Sequence, residues 1–292
     1  MPPKYGTIKW FEYMFEKGDR WGHDWRASQS LRYKLYLNIL KDILTKKSQI
    51  KILDIGCGIC NFTHKVYDIN RTNKIYGMDI SKNAISYALK KYPHFTLCQA
   101  ELPEIPFKGL SFDLIMCLEV LYYIKKPKRE LSIKNIKNFL TRAGYFLFST
   151  ALGQGYLSED EAIKLISKYF HIEKIIYNYG RICRLIERFL LKIMRGANLI
   201  KKILLGNREL TLSSKLKRSK KLILILKLAE LGNKNLKLKS LLLKLINSLI
   251  LVIKNFLSSE RIAEVFYKLT KLLLKGRGKT HLIILAKKIE GD

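Results

Sequence analysis

The residues best suited to chemistry in this chain are two aspartates and a pair of glycines. Asp54 ends an apolar run, and Gly56 and Gly58 follow it at once. Glycines at such a position let the backbone turn sharply and approach a ligand closely. Asp79 ends the next apolar run, 21 residues beyond Gly58. In dinucleotide-binding folds, a carboxylate about 20 residues beyond the loop accepts hydrogen bonds from ribose hydroxyls. The spacing therefore predicts a site for a nucleotide-like ligand.

Alternating strands and helices must position these residues. Seven apolar, β-branched runs predict strands, at 50–55, 74–80, 95–100, 112–118, 144–151, 171–179 and 280–289. Stretches with helical spacing or helix-capping residues predict helices between them, at 59–69, 81–92, 127–140 and 158–170. Alternation of this kind builds an α/β fold, in which helices cover both faces of a parallel sheet.

The composition divides the chain into three regions. Residues 1–47 precede the first strand and hold all three tryptophans, which predicts an aromatic cap or lid. Residues 48–180 and 280–292 carry the alternating pattern. Residues 181–279 interrupt it with leucine-rich amphipathic helices, including one over 222–231. This region has 25 lysines and arginines against 5 acidic residues, so it carries +20 of the net charge of +31, and we expect a basic helical insertion.

Charge and cysteine content indicate the class of partner and the compartment. A net charge of +31 implies attraction to polyanions such as nucleic acid, an anionic membrane or an acidic substrate. The five cysteines form no disulfide pattern and the amino terminus has no secretory pattern, so we expect a cytoplasmic protein. Cys57 and Cys60 are spaced like metal ligands, but no second pair or histidine lies nearby, so we predict no metal site.

Three segments in a fixed order carry a family resemblance. They are LDIGCGICNF (53–62), MDI (78–80) and FDLIMCLEVLYYI (112–124). Together they resemble the class I S-adenosylmethionine-dependent methyltransferases, over residues 28–180 and 280–290. The resemblance implies a Rossmann-like, seven-stranded, mostly parallel sheet with an antiparallel last strand, and S-adenosylmethionine as cofactor. A nicotinamide dinucleotide fits less well, because its motif needs a third glycine for close helix packing and this loop has none after Gly58. Cys60 replaces the third glycine of the loop pattern of the methyltransferases.

The resemblance also implies which residues bind the cofactor. Asp54 would bind the ammonium of the methionine moiety, the backbone of Ile55, Gly56 and Gly58 would pass under the amino-acid and ribose portions, and Asp79 would hold the ribose hydroxyls. The other implied contacts reach the adenine, the sulfonium and the carboxylate of the cofactor, and they are Ile80, Gln99, Ala100, Glu101, Leu118 and Arg32. Gln99 stands where the family usually has an aspartate.

The segment after the fourth predicted strand supplies the candidates for catalysis. Methyl transfer from a sulfonium mainly requires an acceptor held in line with the methyl group. Glu119 and Tyr123 follow that strand, where acceptors arrive. Many members of the family carry histidine at the position of Tyr123. Because this chain has no imidazole there, Glu119 is the candidate base. A purely structural role for this carboxylate is the alternative.

A narrower resemblance concerns the acceptor. Residues 118–124 are similar to a segment of the nodulation protein S family, whose members N-methylate a sugar amine on a chito-oligosaccharide. Members of that family also have a tryptophan-containing segment before a basic helix. Aromatic rings suit stacking on sugars, and a hydrophobic lid over the cofactor is the alternative. The candidates for substrate contact are Trp21, Trp25 and Tyr122.

The expected function is methyl transfer to a nitrogen or oxygen of a small-molecule, saccharide or lipid-linked acceptor. An RNA acceptor is the main alternative, although the motif typical of base-amine methylation is absent after the fourth strand. A non-catalytic scaffold that binds RNA, membrane or a partner protein is the third. Residues 181–279 would lie beside the mouth of the site, and either contact an anionic membrane or pack on themselves.

Overall fold

A single seven-stranded sheet is the centre of the protein. A computed structural model describes residues 3–16, 18–19, 21–46, 49–205 and 235–289. The strands are β1 (Lys51–Ile55), β2 (Lys74–Asp79), β3 (Thr96–Gln99), β4 (Phe112–Leu118), β5 (Leu140–Ala151), β6 (Phe170–Asn178) and β7 (His281–Lys288). Their order is β3-β2-β1-β4-β5-β7-β6, with β7 antiparallel to both of its neighbours. The predicted Rossmann-like sheet, with its antiparallel last strand, is confirmed.

Helices connect the strands as the alternation predicts. They are α1 (Ile8–Phe15), α2 (Ala27–Lys46), α3 (Asn61–Ile69), α4 (Lys82–Lys91), α5 (Lys126–Asn138), α6 (Glu159–Ser167), α7 (Arg181–Leu204), α8 (Leu236–Ser258) and α9 (Glu260–Leu274). Helix α4 begins at a serine cap, because the Ser81 hydroxyl accepts a hydrogen bond from the Ala84 amide at 3.2 Å. Helix α6 has a full capping box between Ser158 and Glu161.

Alternate strand residues fill two separate cores. Ile52 and Leu114 face a cluster with the buried side chains of α2, α3 and α4. Their neighbours Leu53 and Ile115 face the opposite side, where α5 and α6 pack. A strand places successive side chains on opposite faces, so unbroken apolar runs are what a sheet buried on both faces requires.

Strand β5 begins four residues earlier than the sequence pattern predicts. It starts at Leu140, which pairs with Phe112, and the register shifts before the regular pairing of Leu114 with Tyr145. Residues 141–143 are polar or small and partly exposed, so they lack the apolar pattern of a buried strand. Pairing of Leu140 with Phe112 of β4 extends the strand through them.

Three of the helices belong to the region predicted as a basic insertion. Helix α9 packs on α2 and α7, and α8 packs on α7. Ala27, Cys183 and Ala263 form a small buried cluster between α2, α7 and α9. Among the described helices, none combines the length and apolar character needed to cross a membrane. The predicted helix at 222–231 lies outside the described residues, and the division into cap, central domain and insertion stays a prediction.

Candidate active site

A cavity of about 450 Å³ opens at the carboxyl edge of the sheet. Residues following β1, β2 and β4 form its floor, α2 and the amino-terminal segment form one wall, and α7 forms another. Ligands of open α/β sheets bind at this edge, where the chain leaves the strands and loops are free to vary. The cavity therefore collects the residues that the sequence pattern places at strand ends.

The loop after β1 requires its glycines. Gly56 has φ +75°, and a Cβ atom there would lie 2.2 Å from Cγ2 of Val120. Gly58 has φ +53°, and a Cβ atom there would lie 3.2 Å from the ring of Phe15. The Gly56 amide donates to the Met78 carbonyl at 2.7 Å, which ties the loop to β2. The backbone is thereby exposed to the cavity without side chains in the way.

Two buried aspartates lie beside this loop. The Thr63 hydroxyl donates to Asp54 at 2.5 Å, and burial raises the pKa of Asp54 to about 7. Asp79 accepts one backbone amide on each oxygen, from Gly58 and from Ser81, both at 2.9 Å. Burial raises the pKa of Asp79 to about 6, although these hydrogen bonds oppose the shift. Each Asp79 oxygen keeps a lone pair for a ligand hydroxyl.

Glu119 is held in a polar network at the end of β4. Its backbone has φ +63°, which is rare for a residue with a side chain. The Ser149 hydroxyl donates to its Oε1 at 2.8 Å and is itself 2.8 Å from the Tyr36 hydroxyl. Its Oε2 lies 3.9 Å from Nη1 of Arg32. Burial raises the pKa of Glu119, and the charge of Arg32 opposes that shift. The carboxylate is thus fixed in place yet easier to protonate than in water.

His281, the first residue of β7, joins the same network. Nη1 of Arg32 lies 2.8 Å from its Nε2, and Nε2 is 3.7 Å from Glu119. Because an arginine only donates, Nε2 must accept, and the proton sits on Nδ1, 3.1 Å from the Thr280 hydroxyl. Burial and the charge of Arg32 lower the pKa of His281, which keeps it neutral. Its basic lone pair is occupied, so Glu119 is the freer base.

Aromatic side chains of the amino-terminal segment cover the cavity. The Tyr5 hydroxyl donates to the Tyr123 hydroxyl at 3.2 Å, and the rings of Phe11 and Tyr123 meet edge to face at 5.0 Å. Glu12 fastens the segment to the start of α4, because its carboxylate accepts from the Ser81 hydroxyl and the amide of Lys82 at 2.9 and 2.7 Å. The segment therefore covers the space beside Tyr123.

A family comparison agrees with this geometry. Residues 46–190 match the family model described as a methyltransferase domain. The strand order and the loop–aspartate arrangement are those implied by the sequence resemblance. The chain belongs to the class I S-adenosylmethionine-dependent methyltransferases. The cofactor of this family is S-adenosylmethionine.

Three relatives indicate how far the likeness of this methyltransferase extends. The tRNA U34 carboxymethyltransferase of Campylobacter jejuni subsp. jejuni serotype O:6 is 32% identical over 135 residues, which cover 44% of this chain and 43% of that protein. The structure of the N-methyltransferase NodS from Bradyrhizobium japonicum WM9, in complex with S-adenosyl-L-homocysteine, superposes with a TM-score of 0.52 at 20% identity. It covers 59% of this chain and 90% of NodS. The structure of a putative sarcosine dimethylglycine methyltransferase from Galdieria sulphuraria superposes with a TM-score of 0.51 at 13% identity. The superposition covers 89% of this chain and 86% of that protein.

The sequence relative and the structural neighbours support different conclusions about this chain. The chain spans less than half of the tRNA-modifying relative, and the structural neighbours share the fold alone.

Most of the predicted site residues of the methyltransferase line the cavity. Those that do are Trp21, Arg32, Asp54, Ile55, Gly56, Gly58, Asp79, Ile80, Ala100, Glu101, Leu118, Glu119, Tyr122 and Tyr123. Gln99 and Trp25 are outside the lining. The side-chain amide of Gln99 donates a hydrogen bond to the Ile80 carbonyl at 3.0 Å. The individual roles of all these residues stay predictions.

Several lining residues of the methyltransferase have no signal in the motifs. They are Tyr5, Trp10, His23, Arg184, Arg188 and His281. The cavity contains two imidazoles although none stands at position 123. Both come from distant parts of the chain, and burial lowers the pKa of His23 to about 4. One local signal exists for α7, where Arg184 and Arg188 are four residues apart and therefore share a helix face.

Proposed function

We propose that this protein transfers a methyl group from S-adenosylmethionine, bound in the cavity, to a nitrogen or oxygen atom of an acceptor. One observation carries the proposal: Asp79 at the end of β2 and the glycine loop after β1 line the same cavity as Glu119 and the aromatic cap. In this proposal, the cofactor site and the acceptor space adjoin each other within one cavity.

The residues present suit each part of the cofactor. Asp54 would bind the ammonium, directly or through a water, and Arg32 would pair with the carboxylate. Asp79 has the lone pairs for the two ribose hydroxyls. Ile80 would pack on the adenine, and Ala100 and Glu101 would contact its edge.

The chain's own part in the transfer is positioning and proton removal. S-adenosylmethionine, when bound, supplies a methyl group already activated on a sulfonium. Tyr122 and Tyr123 would hold the acceptor atom within about 3–3.5 Å of that carbon. Glu119 would accept the proton of an attacking hydroxyl or ammonium group, because its raised pKa brings it nearer to the working pH.

Two acceptor classes have separate support. The likeness to a tRNA U34 carboxymethyltransferase and the net charge of +31 favour RNA. The enclosed aromatic cavity favours a small-molecule, saccharide or lipid-linked acceptor. For a lipid-linked acceptor, contact with an anionic membrane through residues 181–279 would bring the acceptor to the site. Leu185 and Phe189 are 58% and 64% exposed there, beside the arginines of α7.

Calorimetry with S-adenosylhomocysteine tests the cofactor site. We expect the wild type to bind, and Asp79→Ala to bind at least tenfold more weakly, because each hydrogen bond to a charged group contributes about 1.5–3 kcal/mol. Asp42→Ala, which removes an exposed carboxylate on α2, is the matched control and should bind as the wild type does. A wild type that does not bind would favour the scaffold alternative.

Cell extract incubated with protein and labelled cofactor tests the acceptor. Sorting the label into RNA, lipid, glycan and small-molecule fractions tells the classes apart. Mass spectrometry of the labelled product distinguishes an added methyl from an added carboxymethyl group. Sedimentation with anionic and neutral liposomes tests membrane contact, and equal recovery in both supernatants would contradict it.

A further inference from the structure

Two arginines of α7 lie in the lining of the cavity. Arg184 and Arg188 lie one turn apart on α7 and both line the cavity. Neither side chain forms a hydrogen bond or an ion pair with any residue in the described part of the chain. Burial and the neighbouring charge of Arg188 lower the pKa of Arg184, because the two like charges repel each other.

The nearby carboxylates are already engaged. Glu187 is the single acidic residue of α7, and it pairs with Arg26 at 3.7 Å on the buried face of the helix. Glu119 accepts from Ser149 and faces Arg32 and His281. Asp54 and Asp79 lie at the glycine loop, where their partners are Thr63 and backbone amides. No carboxylate therefore forms an ion pair with Arg184 or Arg188 in the described part of the chain, and both guanidinium groups keep their donors for a ligand.

We propose that Arg184 and Arg188 bind an oxyanion, a phosphate or carboxylate group, carried by the methyl acceptor. The inference rests on the proposed function and specifies its substrate class. The planar guanidinium groups suit such a group because each donates two parallel hydrogen bonds to it. Arg184 lines the same cavity as Glu119, the predicted base. An acceptor held by its anionic group would thus present a neighbouring atom to Glu119.

Calorimetry of the full chain, saturated with S-adenosylhomocysteine, tests the site. The probe is inorganic pyrophosphate, with malonate as the carboxylate counterpart. We expect the wild type to bind at least one of them, and Arg184→Gln/Arg188→Gln to bind it at least tenfold more weakly, because two charge-assisted hydrogen-bonding groups are lost. The matched control is Arg181→Gln/Lys192→Gln. It removes the same charge from the same helix, but outside the cavity lining, and should keep the affinity within about twofold.

Several results would overturn the inference. They are absence of binding of either probe to the wild type, unchanged affinity in the cavity variant, and an equal loss in the control. Weaker S-adenosylhomocysteine binding by Arg188→Gln alone would assign the pair to the cofactor carboxylate instead. Residue 188 is exposed, so this variant keeps its fold, which its thermal unfolding midpoint would verify. A wild type that binds no S-adenosylhomocysteine would instead refute the proposed function, so the two failures are distinguishable.

The same proteins identify the source of the anion. Uridine 5′-monophosphate represents a nucleic-acid phosphate, and a soluble short-chain phosphatidic acid represents a lipid headgroup. The compound whose binding depends more strongly on the two arginines indicates which acceptor carries the group.

Discussion

Substitution of Gly56 by alanine tests why the loop after β1 requires glycine at this position. Gly56 and Gly109 have the same φ, +75°, but their surroundings differ. A Cβ atom at Gly56 would lie 2.2 Å from Cγ2 of Val120, whereas nothing lies within 4 Å of a Cβ atom at Gly109. Gly109→Ala is therefore a control that carries the backbone strain without the steric overlap.

The two contributions to the free energy of unfolding can be estimated separately. Placing an L-residue in the left-handed region costs about 1–2 kcal/mol, and this cost is common to both variants. Forcing a methyl group into an occupied space costs a further 1–3 kcal/mol or so. We expect Gly109→Ala to lose about 1–2 kcal/mol and Gly56→Ala about 2–5 kcal/mol. The loss of unfolded-state entropy affects both alike and leaves the difference unchanged.

Urea unfolding followed by circular dichroism measures both losses, and a double-mutant cycle locates the overlap. With Val120 replaced by alanine, the nearest Val120 atom to the new methyl group becomes its Cβ at 3.4 Å, an ordinary contact. Gly56→Ala should therefore cost about 1–3 kcal/mol less in the Val120→Ala background. Equal costs for Gly56→Ala and Gly109→Ala, or no coupling with Val120→Ala, would refute the steric reasoning. Calorimetry of the single variant should also show weaker S-adenosylhomocysteine binding, because the displaced backbone faces the cavity.

Three further predictions concern the polar groups of the cavity. S-adenosylhomocysteine affinity should fall as pH drops below 7, and more steeply below 6, because protonation of Asp54 and then of Asp79 removes the anions that the ligand needs. Calorimetry from pH 8 to 5.5 should show that the lower step disappears in Asp79→Asn. An affinity that does not depend on pH would contradict the assignment. Tyr36→Phe should lose about 1 kcal/mol of unfolding free energy in urea, because the buried Ser149 hydroxyl loses a partner at 2.8 Å; no change would mean that this bond contributes nothing net. Glu119→Gln should slow methyl transfer by about 100-fold or more and flatten the pH dependence of the rate. Its affinity for S-adenosylhomocysteine should stay within about threefold of the wild-type value. An unchanged rate would leave Glu119 a structural role only.

Local sequence patterns predicted the sheet and the residues that line the cavity at the ends of β1 and β2. The Asp54–Gly58 loop and Asp79 are readable because each follows its own strand directly, and parallel strands bring their carboxyl ends to one edge. The start of β5 was missed for the converse reason. Its first residues are held by pairing with Phe112, which no local pattern of apolar residues reports.

The polar network around Glu119 could not be predicted in the same way, because its residues meet only in the folded chain. Arg32 and His281 are 249 positions apart and touch because α2 and the first residue of β7 adjoin the end of β4. Tyr36 reaches Ser149 across 113 positions. Gln99 is a different case, since its family position predicts an adenine contact, and its side-chain amide donates to the Ile80 carbonyl. That contact stays a prediction.

Glu119 connects the catalytic assignment with the proposed anion site. Its left-handed backbone costs about 1–3 kcal/mol, a strain that persists only where surrounding structure holds it. Here the Ser149 carbonyl accepts the Glu119 amide at 3.1 Å while the Ser149 hydroxyl holds the carboxylate, so pairing of β4 with β5 fixes both ends of the residue. This conformation directs the carboxylate toward Arg32 and His281, and no ion pair joins it to Arg184 or Arg188 in the described part of the chain. The predicted base and the two arginines all line one cavity, which is the arrangement that an anionic acceptor would need.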